Sequence, residues 1–378
     1  MYSLGGHGEM AADAVRMGAY REALRCAIRP GCTVVDLGAG AGILSLLAVK
    51  LGAGRVFAIE PDDVIGVARE IARANGLADR IEFIQQISER VQLPERVDVV
   101  VADLRGVLPP WTGHFRAIGD ARARLLKPGG TLIPSRDTLW AAAVETPRLY
   151  DELLHGWSDG EFDMAAGRRR IMNSWMKVQV EPEHLLTGCG RWAAIDYATV
   201  AGPAVHGAAD LRVLRPGTAH GLALWFDAVL IDDVGFSNAP GRPRAIYGQA
   251  FFPLAEAAAV EEGGGVAVEV RADFAEGDYV WSWDTTIRSA GGEVTARFRQ
   301  STFHHLPLSP DKLRKRAHAF VPGLNRDGEI DRMALGLFGT GRTLGEIAAE
   351  VAAAFPDRFK DWKSALDRVA SLSGIYGD

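Results

Sequence analysis

Residues 33–42 read TVVDLGAGAG, and no other stretch limits the fold of this chain as tightly. Thr33, Val34 and Val35 are β-branched and run into Asp36. Glycines then stand at 38, 40 and 42, and the apolar run Ile43-Leu44-Ser45-Leu46-Leu47 follows. The pattern predicts a buried strand, a tight loop and a helix. Glycine suits such a loop because a backbone without Cβ takes positive φ and lets a ligand lie against it. A dinucleotide fingerprint, G-x-G-x-x-G, would need its third glycine at position 43, where Ile43 stands.

The surrounding chain alternates strands with helices. His7–Ile28 reads as a helix, and RVFAIE at 55–60 as a second strand ending in an acid. A helix over Val64–Asn75 ends at Asn75-Gly76, a strand covers 80–84, and an apolar strand over Val97–Ala102 runs into Asp103. A helix over Ala117–Leu126 is stopped by Lys127-Pro128-Gly129-Gly130, after which another strand begins. This order predicts an α/β, Rossmann-like doubly wound parallel sheet, whose ligands sit at the carboxyl ends of its strands. Gly38–Gly42, Glu60, Glu89 and Asp103 all fall at such ends. Glu60, an acceptor-only group, fits a ribose diol of either NAD or an adenosyl ligand.

Beyond residue 140 the pattern changes. Short alternating segments at 176–180, 222–230, 266–270, 279–287 and 294–298, separated by glycine, proline and acidic turns, predict an antiparallel β-barrel or sandwich. The tryptophans, Trp157, Trp192, Trp225, Trp281 and Trp283 among them, are expected in its core. His304-His305 has no acidic or cysteine partner at ligand spacing, so no metal is expected. From Ser309 onward the chain reads as helical. Ser309-Pro310-Asp311 opens one helix, Thr343–Glu346 is a capping box, and Trp362, Leu366, Val369 and Leu372 form an apolar stripe on a last helix. The expected domains are 1–140, 141–308 and 309–378.

A net charge of −6 over 378 residues offers no electrostatic footing for nucleic acid or an anionic membrane. Three cysteines without CxxC spacing (Cys26, Cys32, Cys189) argue against a disulfide framework and fit a reducing compartment. The N-terminus has no signal-peptide pattern, and no run is long and apolar enough to span a bilayer. The expected location is cytoplasmic.

Taken together, D-x-G-x-G-x-G, the strand-end acids and the LKPGG turn resemble a class I S-adenosylmethionine-dependent methyltransferase. Residues 1 to about 300 are similar to the protein arginine methyltransferases through HGEMAADAVRMGAY at 7–20, DLGAGAGILSLLAVKLGAGRVFAIE at 36–60, ERVQLPERVDVVVAD at 89–103, LKPGGTLIPSRDTL at 126–139 and EFDM at 161–164. The resemblance implies that Arg16 meets the carboxylate of S-adenosylmethionine and that Met10 packs near its sulfonium. It implies that Asp36, Gly38, Ala39, Gly40, Gly42, Ile43 and Leu44 wrap the methionyl portion. Glu60, with Pro61 after it, would take the ribose, Ser88 and Glu89 the adenine, and S-adenosylhomocysteine would be the product. The barrel would wall the substrate cleft and carry a helical dimerisation arm, placed near Gly188–Val200, which allows a homodimer.

The acceptor side departs from the family, in which a loop after the fourth strand carries two substrate-clamping glutamates. Counting back from LKPGG puts Asp103 at the first and Thr112 at the second, with His114 close by. The family's Thr-His-Trp loop maps onto Ala245-Ile246-Tyr247. The expectation is therefore methyl transfer to oxygen, with Arg105 orienting a carboxylate of a peptide or protein substrate such as a ribosomal natural-product precursor. Asp103 and His114 are the candidate bases for a hydroxyl or amide. The alternatives are arginine N-methylation with a remodelled clamp, and a non-catalytic adenosyl-binding scaffold. The last 70 residues loosely resemble the small winged-helix-like domains with which peptide-modifying enzymes hold a leader; otherwise they form a helical cap.

Overall fold

The computed structural model describes residues 3–158, 160–307 and 309–377. They divide into two compact units, 1–306 and 307–378.

In the larger unit, helices α1 (Leu4–Ala12) and α2 (Ala14–Ala27) precede β1 (Thr33–Leu37). The single helix expected over 7–28 is broken at Asp13. That residue turns extended, and its carboxylate caps α2 at the Arg16 amide, satisfying a donor that a helix start leaves open. There follow α3 (Ile43–Lys50), β2 (Arg55–Ile59), α4 (Ile65–Ala74), β3 (Ile81–Ile84), β4 (Val97–Ala102), α5 (His114–Arg124) and β5 (Leu126–Ile133). The five strands form a parallel sheet in the order β3-β2-β1-β4-β5. Strands 1, 2 and 4 are buried on both faces, which is why they read as continuous apolar runs. The strand order reverses between β1 and β4, so a crevice opens at their carboxyl ends.

The barrel begins with β6 (Arg136–Val144). Helices α6 (Pro147–His155) and α7 (Ala165–Ile171) are inserted before β7 (Met176–Val178) and β8 (Gly190–Asp196). Next come β9 (Val205–Arg212), β10 (Gly217–Ile231), β11 (Val234–Ser237), β12 (Gln249–Val260), β13 (Gly265–Ala275), β14 (Asp278–Arg288) and β15 (Val294–Ser301). One antiparallel sheet runs β7-β12-β10-β6-β8, with β11 on β10, and the other runs β15-β14-β13-β9. Burial alternates along β14, so Tyr279, Trp281, Trp283 and Ile287 point into the core. Trp192 and Trp225 are buried too, but Trp157 is 40% exposed because it lies on the helical insertion, outside the barrel. Within the segment expected near a dimerisation arm, Gly190–Asp196 forms strand β8, paired to β6.

The smaller unit comprises α8 (Pro310–Lys315), α9 (Arg326–Leu337), α10 (Leu344–Ala354) and α11 (Trp362–Tyr376). Ile330, Ala334, Ile347, Val351, Ala365, Val369 and Leu372 form its core. The buried stripe on α11 uses Ala365 and leaves Trp362 44% exposed, since Trp362 is the first residue of the helix and projects beyond its partners. Among the described residues this unit has no strand, so it is helical without a wing.

Candidate active site

A cavity of about 620 Å³ opens at the carboxyl ends of β1, β2 and β4. Its walls follow from local geometry. After β1 the loop turns through Gly38 (φ 73°) and Gly42 (φ 80°), a region that side chains resist. A Cβ on Gly38 would stand 2.2 Å from Leu104 Cδ2, and one on Gly42 would stand 2.8 Å from the Ala68 Cβ. The loop is therefore pressed between β4 and α4, with its backbone facing the cavity.

Met10, Arg16, Gly38, Ala39, Gly40, Ile43, Leu44, Glu60, Pro61, Ser88, Glu89, Asp103, Arg105 and His114 all line this one cavity. Two expected residues do not. The Asp36 carboxylate is buried and accepts a 2.6 Å hydrogen bond from Ser45 Oγ on α3; burial pushes its pKa up to about 6. Gly42 is the N-cap of α3 and serves the packing just described. Sequence reading missed His7, Asp62, Trp111 and Arg116, which also line the cavity.

Glu60 is held by two backbone amides, Gly40 N–H on Oε2 and Asp62 N–H on Oε1, each 2.9 Å. Each oxygen keeps a second lone pair, so the fixed carboxylate still accepts from a diol. Arg16 donates through Nε to Asp103 and through Nη1 to the Met10 carbonyl, 3.1 Å away. Among the described residues its Nη2 makes no hydrogen bond, which suits a ligand carboxylate. Glycine backbone, an anchored acid and a guanidinium arranged around one cavity fit an S-adenosylmethionine molecule.

Asp103, just beyond β4, lines the same cavity with a side chain only 4% exposed. Besides Arg16, it receives Tyr247 Oη at 2.7 Å and Arg105 Nη1 at 3.3 Å. Burial alone would raise its pKa. The charges of Arg16 and Arg105 and the Tyr247 hydrogen bond override it, holding the carboxyl below the usual range. These contacts favour the charged form of Asp103.

Arg105 does not present its guanidinium to a substrate. It forks onto Asp137 with two 2.8 Å bonds, donates to Tyr20 Oη at 2.9 Å, and its side chain is fully enclosed. Tyr197, Phe226 and Phe236 surround it with ring centroids 5.7–6.0 Å away. Asp137 also accepts from Tyr197 Oη at 2.6 Å. The expected carboxylate-docking cation is thus a structural one, neutralised by an acid from β6. Thr112 (φ 36°) is exposed at the cavity rim and supplies no second acid. His114 lines the cavity as a buried residue, and the pair His304-His305 joins no metal-holding group among the described residues.

Residues 21–135 match the family described as ribosomal protein L11 methyltransferase (PrmA), and residues 135–286 match the arginine methyltransferase oligomerization subdomain. Protein arginine N-methyltransferase 6 of Xenopus laevis is 31% identical over 273 residues, covering 68% of this chain and 80% of that protein. The probable protein arginine N-methyltransferase 6 of Arabidopsis thaliana is 31% identical over 234 residues, 59% of this chain and 54% of that protein. Among solved structures, Arabidopsis thaliana protein arginine methyltransferase 10 superposes with a TM-score of 0.71 at 22% identity, covering 79% of this chain and 98% of that one. The Trypanosoma brucei PRMT1 enzyme–prozyme complex with AdoHcy gives 0.72 at 22% identity, with the same coverage. These two show the shared fold. With the sequence relatives and the cavity, they lead to one conclusion: the chain belongs to the protein arginine methyltransferase family and is an S-adenosylmethionine-dependent methyltransferase.

Proposed function

We propose that this chain methylates a side-chain nitrogen of arginine in a protein or peptide, using a single-carboxylate clamp. The observation that carries this reading is the state of Asp103: an ionised, buried acid on the acceptor side of the cavity, held by Tyr247 and two arginines. Arginine stays protonated, so it is matched by an anion and disfavoured by a free cation. An enclosed Arg105 offers no such free cation, and transfer to a carboxylate oxygen loses its docking group. The relatives' names point the same way.

On the donor side, Arg16 holds the methionyl carboxylate, Glu60 the ribose hydroxyls, and Ser88 and Glu89 border the adenine. Met10 and the Gly38–Leu44 backbone enclose the methionyl portion. Bound there, S-adenosylmethionine supplies an electrophilic methyl carbon. The chain's own work is to align the acceptor nitrogen with that carbon and to exclude water. The same reading extends to self-association of two copies through the insertion 147–171 and its flanks, where Phe162 is 63% exposed. Sedimentation of the full chain as a monomer at every concentration would remove that extension.

The test is Asp103→Asn assayed with a synthetic peptide holding one arginine between glycines. Loss of a charge-assisted contact worth about 1.5–3 kcal/mol lowers kcat/KM for the peptide about 10- to 100-fold. A variant as active as the wild type overturns the clamp.

A further inference from the structure

His114 is the first residue of α5 and is 1% exposed. Its ring stacks on Phe115 (centroids 5.2 Å apart, planes at 11°) and on Tyr197 (5.3 Å, 21°). Nδ1 lies 3.0 Å from the Pro109 carbonyl oxygen. A carbonyl can only accept, so Nδ1 carries the ring proton and Nε2 holds a bare lone pair. That Nε2 is enclosed and has no hydrogen-bond partner among the described residues.

Buried polar atoms are nearly always paired, and each orphan asks for a reason. Among the described residues three others share this condition, Thr146 Oγ1, Trp192 Nε1 and Thr285 Oγ1, but none of those residues lines the cavity. His114 does, together with Asp103 and Thr112. The loop before it is shaped to bring it there. Trp111 folds back on Gly106, where a Cβ would stand 2.3 Å from its ring, and Thr112 takes a left-handed turn that leads into the helix.

We infer that His114 Nε2 is the second acceptor of the substrate pocket, taking one N–H of the guanidinium while the Asp103 carboxylate takes another. The assignment rests on the arginine reading above. It places a neutral acceptor near the position where the family carries its second acid, so one carboxylate alone balances the substrate charge. Burial and the nearby Arg105 charge drive the His114 pKa down to about 4, so the lone pair stays available at neutral pH. Ring stacking fixes the imidazole plane, and the Pro109 carbonyl fixes its tautomer. Both are devices for presenting a lone pair in one direction.

The experiment compares His114→Phe and His114→Gln in the full chain with the single-arginine peptide. Phe keeps the stacked ring and removes the acceptor, whereas Gln returns an amide oxygen. His114→Phe is expected to raise the peptide KM about tenfold or more, the worth of one hydrogen bond to a charged group, with unchanged calorimetric affinity for S-adenosylmethionine. His114→Gln is expected to recover most of that loss. A His114→Phe enzyme with the wild-type KM overturns the assignment. Should that variant fail to fold, the ¹⁵N shift of His114 Nε2 in the wild-type enzyme decides. Movement on adding peptide to the cofactor-saturated protein supports the contact, and an unmoved signal refutes it. If the wild type methylates a residue other than arginine, the arginine reading fails separately, and the same variants report on whichever peptide is turned over.

Discussion

Asp103 carries one charge and answers to three donors, Arg16, Arg105 and Tyr247. Two of these are cations, and Arg105 is neutralised in turn by Asp137. A buried pair of this kind is costly to break because the surviving charge is left uncompensated. Asp137→Asn should therefore destabilise the larger unit by roughly 3–5 kcal/mol in urea unfolding. Arg105→Met combined with Asp137→Leu should lose less than the sum of the two singles; additive losses would show that the pair is not coupled. His114 gives a pH signature. Its folded pKa of about 4 lies below the ordinary 6.5, so between those values the unfolded chain binds more protons. Its contribution to stability is complete above 6.5 and is lost as the pH falls through about 4. The stability difference between wild type and His114→Phe should change across that window and be constant above it. A difference that does not vary with pH would refute the burial of a neutral imidazole.

At the scale of elements, the strand, glycine turn and helix that border the cavity are legible because their residues lie close together in sequence. Strand, glycine turn and helix occupy 33–50, and each residue type there has a local reason. Gly42→Ala tests that reasoning: φ 80° and an Ala68 contact at 2.8 Å predict a loss of about 1–2 kcal/mol or more, with weakened cofactor affinity. Unchanged melting and binding would show that the loop relaxes freely. The acceptor half was not legible, because its partners meet only through tertiary structure. Arg105 and Asp137 are 32 positions apart, and Asp103 and Tyr247 are 144 apart. No periodicity links such positions, so Arg105 reads in sequence as a free cation and proves to be an enclosed one. Similarly, the helix expected to begin at Ala117 begins at His114, and those three residues move the histidine from a loop into the cavity wall.

For the whole molecule, the parallel sheet carries the glycine loop and Glu60 at the cavity, and the barrel half reaches Arg105 through Asp137, itself bonded by Tyr197, and Asp103 through Tyr247. Residues 307–378 form a separate helical unit with its own core. Among the described residues, no helix of the chain is long and apolar enough to cross a membrane. Under the proposed function the acceptor chemistry would depend on both parts, because Tyr247 of the barrel half donates to Asp103. That chemistry is read most directly by tandem mass spectrometry of the single-arginine peptide after incubation with the full chain and isotopically labelled S-adenosylmethionine. The labelled methyl is expected on the arginine side chain, retained after treatment with base. A label found on a carboxyl group and released by base would contradict it.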